Sequence, residues 1–185
     1  MNSINIASVT IECLQGDITR QSDVDRVVNA ANAQLMPGGG VAGAIHNRAG
    51  PGLAAECDPL APIRPGEAVI TAAHLLPNKH IIHCLGPIYG IDQPEDDLLA
   101  ACFRNALNLA EANGLRSIAF PAISTGAFGY PLEPAAHVSL GAIRDYIVPE
   151  RKLVQNLELV RFVLWNPADL QVFSEAMQLV FTEPG

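Results

Sequence analysis

Short apolar runs and segments of helical period alternate along almost the whole chain, and no other feature limits the fold as much. Ile4 to Leu14 alternates loosely, as one or two strands ending at Gly16-Asp17. Arg26 to Ala30 is a short buried strand. Val41 to Cys57 has helical spacing broken at Gly50-Pro51-Gly52. Glu67 to Ala72 and His80 to Gly86 are expected strands. From Asp96 to Asn113, Leu98, Leu99, Cys102, Phe103, Ala106, Leu109 and Ala110 follow the i, i+3, i+4 rule, and Gly114 stands as a C-cap. Ser117 to Pro121 is then a strand, Pro134 to Ile147 a helix with proline near its start, Leu157 to Trp165 a strand and Leu170 to Phe181 a final helix. Such alternation gives an α/β layered domain with a largely parallel sheet. Ligands of these sheets collect on the loops at the carboxyl ends of the strands.

Composition narrows the function. The 185 residues suit one domain, read here as 1–185, able to bury roughly 70% of its unfolded surface without staples. Nineteen acidic against eleven basic residues leave a net charge of −8, which argues against a nucleic-acid groove or an anionic membrane surface. The two lysines, Lys79 and Lys152, do not follow glycine, so no P-loop is present. Cys13, Cys57, Cys84 and Cys102 have no pairing rhythm and read as reduced buried thiols of a cytoplasmic protein. No stretch approaches a membrane span, and Met1 to Asn5 has no signal-peptide pattern. His80 and His83 lie in a strand three residues apart, on opposite faces, so no metal is expected. No cofactor is expected either, and a monomer is favoured.

Two glycine loops carry the chemistry. The first runs from Asn29 through Asn32 to Gly38-Gly39-Gly40-Val41-Ala42-Gly43, directly before a helix, where free N–H groups and the helix dipole favour an anion. It contains the letters G-x-G-x-x-G, but seven residues separate it from the strand, unlike a dinucleotide fold. The second loop, Ser124-Thr125-Gly126-Ala127-Phe128-Gly129-Tyr130-Pro131, joins a strand to the Pro134 helix. Opposed at one sheet edge, the two can hold a diphosphate between backbone amides. Asp17, after a strand, can cap a turn or accept from a purine amino group. Trp165, at the end of the last strand, can be core or can stack on a base. No G-x-S-x-G marks a serine nucleophile.

Gly16-Asp17-Ile18-Thr19, Val28-Asn29-Ala30-Ala31-Asn32, the Gly38 to His46 segment and Ser124 to Pro131 together resemble the macrodomain family, and most closely its MacroD-type branch. The resemblance runs from about residue 8 to the end of the chain. It implies a three-layer α/β/α macrodomain fold with a central mixed sheet and an ADP-ribose cleft. It also implies hydrolysis of mono-ADP-ribose from acidic side chains of proteins, or deacetylation of O-acetyl-ADP-ribose. On the matching positions, Asp17 would accept from the adenine amino group and Ile18 would offer its N–H. Asn32 would hold the distal ribose and the attacking water. Gly39, Gly40 and Val41 would line the distal ribose and phosphate side. Ser124, Thr125, Gly126, Ala127 and Phe128 would wrap the diphosphate, with Phe128 on the distal ribose and Trp165 near the adenine. The partner would be ADP-ribose or an ADP-ribosylated protein. One position departs from the MacroD type: Ala42 stands where those hydrolases commonly carry Asp, so no side-chain base is available there. A slow hydrolase and a non-catalytic ADP-ribose reader are the two alternatives.

Overall fold

Valines and isoleucines in the short runs of the sequence become a seven-stranded sheet in a computed structural model, which describes residues 2–148 and 155–182. Lys152 lies outside the described residues. The strands are β1 (Ser3–Ile6), β2 (Val9–Gln15), β3 (Arg26–Ala30), β4 (Ala68–Ala72), β5 (His80–Cys84), β6 (Ser117–Phe120) and β7 (Leu159–Leu164). The helices are α1 (Gly40–Ala49), α2 (Gly52–Cys57), α3 (Glu95–Ala112), α4 (Leu132–Ile147) and α5 (Pro167–Thr182). Ile4 to Leu14 is thus two strands, and the helical run from Val41 is two helices. The split falls where Gly50 turns to φ +82° and its N–H donates to the His46 carbonyl.

The sheet order is β1-β2-β7-β6-β3-β5-β4. The inner strands β2, β7, β6, β3 and β5 are parallel, and β1 and β4 close the edges antiparallel, so the sheet is mixed. Alternating side chains bury both faces. Val28, Ile82, Ile118, Phe120, Val160 and Phe162 meet α3, α4 and α5. Val27, Ile81, Ala119 and Val163 meet α1 and α2. Phe120 links to Phe103 and Phe162 at ring separations of 4.8 and 5.9 Å, and Phe162 to Phe173 at 5.1 Å. Each buried ring contributes roughly 1.5–3 kcal/mol, and together they fix β6 and β7 against the helices.

Element ends differ from the sequence reading where capping outranks periodicity. The last helix begins at Pro167 rather than Leu170 because Asn166 Oδ1 accepts from the Asp169 N–H at 2.9 Å, and proline suits the first turn. Its first turn, Pro167-Ala168-Asp169, presents no large apolar side chain and so leaves no periodic trace. The strand expected to reach Gly86 ends at Cys84. All four cysteines are free and buried, and burial, with Glu12 beside it, raises the Cys13 thiol to about 12. No helix among the described residues is long and apolar enough to cross a membrane.

One point in this topology is special. β3 and β6 lie side by side, yet the chain leaving β3 goes on to β4 and β5 on one side, and the chain leaving β6 goes on to β7 on the other. Connections that diverge from neighbouring parallel strands leave a crevice above their carboxyl ends.

Candidate functional site

The first wall of the crevice is the connection from β3 to α1. The Ala31 N–H donates to the Cys84 carbonyl at 2.9 Å, which extends the β3–β5 pairing one residue beyond the strand. The chain then turns on Asn32. Its Nδ2 donates to the Met36 carbonyl at 2.8 Å, and its Oδ1 accepts from the Met36 N–H at 3.0 Å. One amide hydrogen and one acceptor site of Asn32 remain for a ligand. Gly40 takes φ +55° and opens α1. Gly43 is required by space, since a Cβ there would come within 2.2 Å of the Gly38 carbonyl oxygen. The first-turn N–H groups of α1 have no partner inside the helix and face an anion favourably.

The second wall is the connection from β6 to α4. The Tyr130 N–H donates to the Ser124 carbonyl at 3.0 Å, and the Gly129 N–H to the Gly126 carbonyl at 3.0 Å, which folds the loop into a cup. Among the described residues, no acceptor meets the N–H groups of Gly126, Ala127 and Phe128. Successive free amides of this kind form a nest for an anion. The segment after β5 braces the cup from outside. The Tyr89 N–H donates to the Phe128 carbonyl at 2.9 Å, Tyr89 and Tyr130 rings lie 4.9 Å apart, and the Tyr130 hydroxyl donates to Asp96.

Between the walls lies a cleft of about 300 Å³. Of the residues singled out in the sequence, Asn32, Gly39, Gly40, Val41, Ser124, Gly126, Ala127 and Phe128 line it together. Ala42 lines it as well, and no lining residue carries an ionisable side chain. Whatever positive character the cleft has comes from backbone amides and a helix end. Thr125 does not line it; its hydroxyl donates to the Ala122 carbonyl at 2.9 Å.

Asp17, Ile18 and Trp165 stand outside this cavity, at the ends of β2 and β7 on the same sheet edge. From β2 to β3 is three strand spacings, about 14 Å. Asp17 Oδ1 accepts from the Thr19 N–H at 2.8 Å and the Thr19 hydroxyl at 2.6 Å, so it caps the turn Ile18–Arg20. Partial burial raises the Asp17 carboxyl, but the Thr19 hydrogen bonds, Arg20 and Arg48 outweigh that and hold it below its ordinary range. It is therefore an ionised acceptor with its Oδ2 side toward Arg20. Trp165 is 76% exposed and no part of the core; its carbonyl accepts from Gln15.

Asn29 and Asn32, so close in sequence, do different work. Asn29 is wholly buried beneath α1 and α2, where its Nδ2 meets His83 Nδ1 at 3.1 Å. His83 Nε2 meets Thr71 Oγ1 at 2.9 Å, and that hydroxyl donates to the Ala72 carbonyl. Donation in one direction along this chain requires a neutral imidazole. Burial and nearby His46 push the His83 pKa down to about 3, which keeps it neutral. His46, on α1, is also lowered by burial, against a hydrogen bond with the Leu35 backbone. Among the described residues, no group of three or more His, Cys, Asp or Glu is placed to hold a metal ion. Gly86, in sequence only the end of an expected strand, also lines the cleft; a glycine closing a strand at this sheet edge is its one local signal.

Fold and cleft together define an α/β domain with a crevice of unpartnered amides at a topological switch point. The Macro domain family model matches residues 28–139, and the chain belongs to that family. It is 42% identical over 180 residues to the O-acetyl-ADP-ribose deacetylase of Cronobacter sakazakii, covering 95% of this chain and 97% of the relative. It is 41% identical over 173 residues to the ADP-ribose glycohydrolase MACROD2 of Xenopus laevis, covering 92% of this chain but 40% of that protein. The Oceanobacillus iheyensis macrodomain solved with ADP superposes with a TM-score of 0.89 at 38% identity, over 96% of this chain and 95% of the other. A variant of that macrodomain solved with ADPR gives 0.90 at 37% identity, over 98% of each.

Proposed function

We propose that the chain, acting as one domain, binds ADP-ribose and hydrolyses ADP-ribosyl esters. Its substrates are mono-ADP-ribosylated acidic side chains of proteins, O-acetyl-ADP-ribose, or both. The observation that carries this reading is the pair of opposed loops whose unspent amides converge on a cleft free of charged side chains. Relatives named for ADP-ribosyl hydrolysis and a neighbour solved with ADPR supply the ligand class.

In this reading the adenine lies over the β2 and β7 ends, with Asp17 accepting from its amino group, Ile18 offering its N–H and Trp165 stacking on the ring. The diphosphate crosses the cup of Ser124 to Phe128, and Thr125 shapes that cup through its bond to Ala122. Phe128 packs on the distal ribose, and Gly39, Gly40 and Val41 close its other side. Asn32 directs its remaining amide hydrogen or lone pair at a water beside the ester. Ala42 cannot take that water's proton, so a substrate phosphate polarises it instead. Water adds at the ester, the acid leaves as carboxylate and the ribose regains its hydroxyl. Positioning and oxyanion stabilisation suffice for an ester, at a slow rate.

The Ala42 side chain and the partial commitment of Asn32 to Met36 favour the second reading, a non-catalytic reader. Incubation with glutamate-ADP-ribosylated protein and with O-acetyl-ADP-ribose separates the two. Release of ADP-ribose above the spontaneous rate is expected. Binding without release, at stoichiometric protein, leaves the reader. Failure to bind ADP-ribose at all overturns both.

A further inference from the structure

Arg161 breaks the apolar pattern of β7, an inner strand of the sheet. Its neighbours Val160 and Phe162 pack on one face and Val163 on the other, yet Arg161 is 8% exposed. A guanidinium removed from water is costly unless it is paired and hydrogen-bonded. Here Nε donates to Glu12 Oε1 at 2.7 Å, and Nη1 and Nη2 grip the Asp23 carboxylate at 2.7 Å each. The bond to Asp23 raises the Arg161 pKa against the effect of burial, and Glu12 adds to it, so the charge is kept.

Two carboxylates already balance that charge, but Arg161 has a third partner that is neutral. Nη1 also donates to Gln21 Oε1 at 2.9 Å, and Gln21 is itself 8% exposed. The other end of the same carboxamide leads to the far end of the connection after β2: Gln21 Nε2 donates to the Asp17 carbonyl at 2.8 Å. A peptide unit is planar and trans, so the Asp17 carbonyl and the Ile18 N–H are opposite edges of one rigid plate. Holding the carbonyl therefore aims the Ile18 N–H, which no acceptor meets among the described residues. The Asp17 carboxylate beside it is fixed separately, by Thr19. A carboxylate next to a free N–H offers an acceptor and a donor side by side. Adenine answers the acceptor with its amino group, whereas hypoxanthine sets an oxo group, a second acceptor, against it.

We propose that Arg161 and Gln21 are positioning residues for base selection. The clamp on β7 holds Gln21, and Gln21 holds the Asp17–Ile18 peptide in the orientation that selects an amino-bearing purine over an oxo-purine. This rests on the ADP-ribose reading.

Titration calorimetry of the intact chain with ADP and with inosine diphosphate, which differ only in the base, tests this alongside melting of the unliganded protein. The native chain is expected to prefer ADP by about tenfold or more, as for a hydrogen bond to a charged acceptor. Gln21→Met, close in length and without polar atoms, leaves Arg161 its two carboxylates and should erase most of that preference by weakening ADP alone. Arg161→Met should erase it too, with a lower melting temperature, and the double variant should discriminate no worse than Gln21→Met. Glu12→Gln keeps an acceptor for Nε and should keep the preference. An unchanged preference in Gln21→Met overturns the assignment. So does an equal loss of both diphosphates in that variant, which marks a merely structural role, or a preference lost as fully in Glu12→Gln. A native chain that binds both diphosphates alike overturns the assignment together with the placement of adenine at Asp17. One that binds neither diphosphate nor ADP-ribose removes the ADP-ribose reading itself.

Discussion

The two loops that face each other across the cleft reach similar chemistry with a different balance of internal and external ties. The β3–α1 loop is shaped mainly from within: Asn32 clasps Met36, Leu35 and Gly40 take positive φ, and Gly43 lets the helix settle against the Gly38 carbonyl. The β6–α4 loop adds to its own Tyr130 and Gly129 hydrogen bonds a brace from outside, through Tyr89, Tyr130 and Asp96. It leaves the amides of Gly126, Ala127 and Phe128 and the Ser124 hydroxyl unspent. Internal ties make a loop sensitive to its own sequence. External ties make it sensitive to its neighbours.

The sharpest way to break this contrast is at glycine. Gly43→Ala drives a methyl into a backbone oxygen, and overpacking of that kind costs about 1–3 kcal/mol. ADP-ribose affinity should fall by two orders of magnitude in a titration, with a lower melting temperature. Gly126→Ala meets nothing within 4 Å and should melt like the native chain. Equal damage from the two would end the distinction.

Asn32→Ala comes next. Loss of the oriented amide should lower kcat about a hundredfold on an ADP-ribosyl ester, while affinity falls less than tenfold. The reverse split, read from single-turnover and calorimetric data, would make Asn32 a structural clasp only.

A smaller effect concerns the footing of the first loop. His83 is neutral in the fold, with a pKa near 3, whereas the unfolded chain protonates it near the ordinary 6.5. Its contribution to stability is therefore complete above about pH 6.5 and declines as pH falls from there toward 3, by up to ~1.4 kcal/mol per pH unit. Urea midpoints measured between pH 7 and pH 4 should fall more steeply for the native chain than for His83→Gln. Parallel curves would assign the acid sensitivity elsewhere.

The smallest effect is an insensitivity. With no lysine or arginine lining the cleft, ADP-ribose affinity should change little between 50 and 200 mM salt, compared with the steep loss that counterion release produces. A steep slope would mean that cations outside the cleft hold the phosphates.

Element types were legible because Leu99, Cys102, Phe103 and Ala106 repeat at helical period and Val27 with Val28 mark a strand buried on both faces. The loops were legible because glycine next to a helix start has a local cause. What escaped has a distant one. Gly86 answers to Ser124, 38 positions away, and nothing near 86 records that contact. Asn29 reads as a turn former beside Asn32, yet its amide turns inward to His83, a partner set by strand order. Sheet order, in turn, depends on which crossovers pack and leaves no periodic trace in any one strand.

The brace between Tyr89 and the second loop has a dynamic consequence. Phe128 and Tyr130 are joined to the segment after β5 through a backbone hydrogen bond, a ring contact and a hydroxyl bond to α3. The second wall of the cleft cannot swing away without carrying or releasing that segment. The hydrogen-bonded amides of Gly129 and Tyr130 and those of Tyr89, Ile91 and Asp92 should therefore exchange with deuterated water at a common free energy rather than as two independent loops.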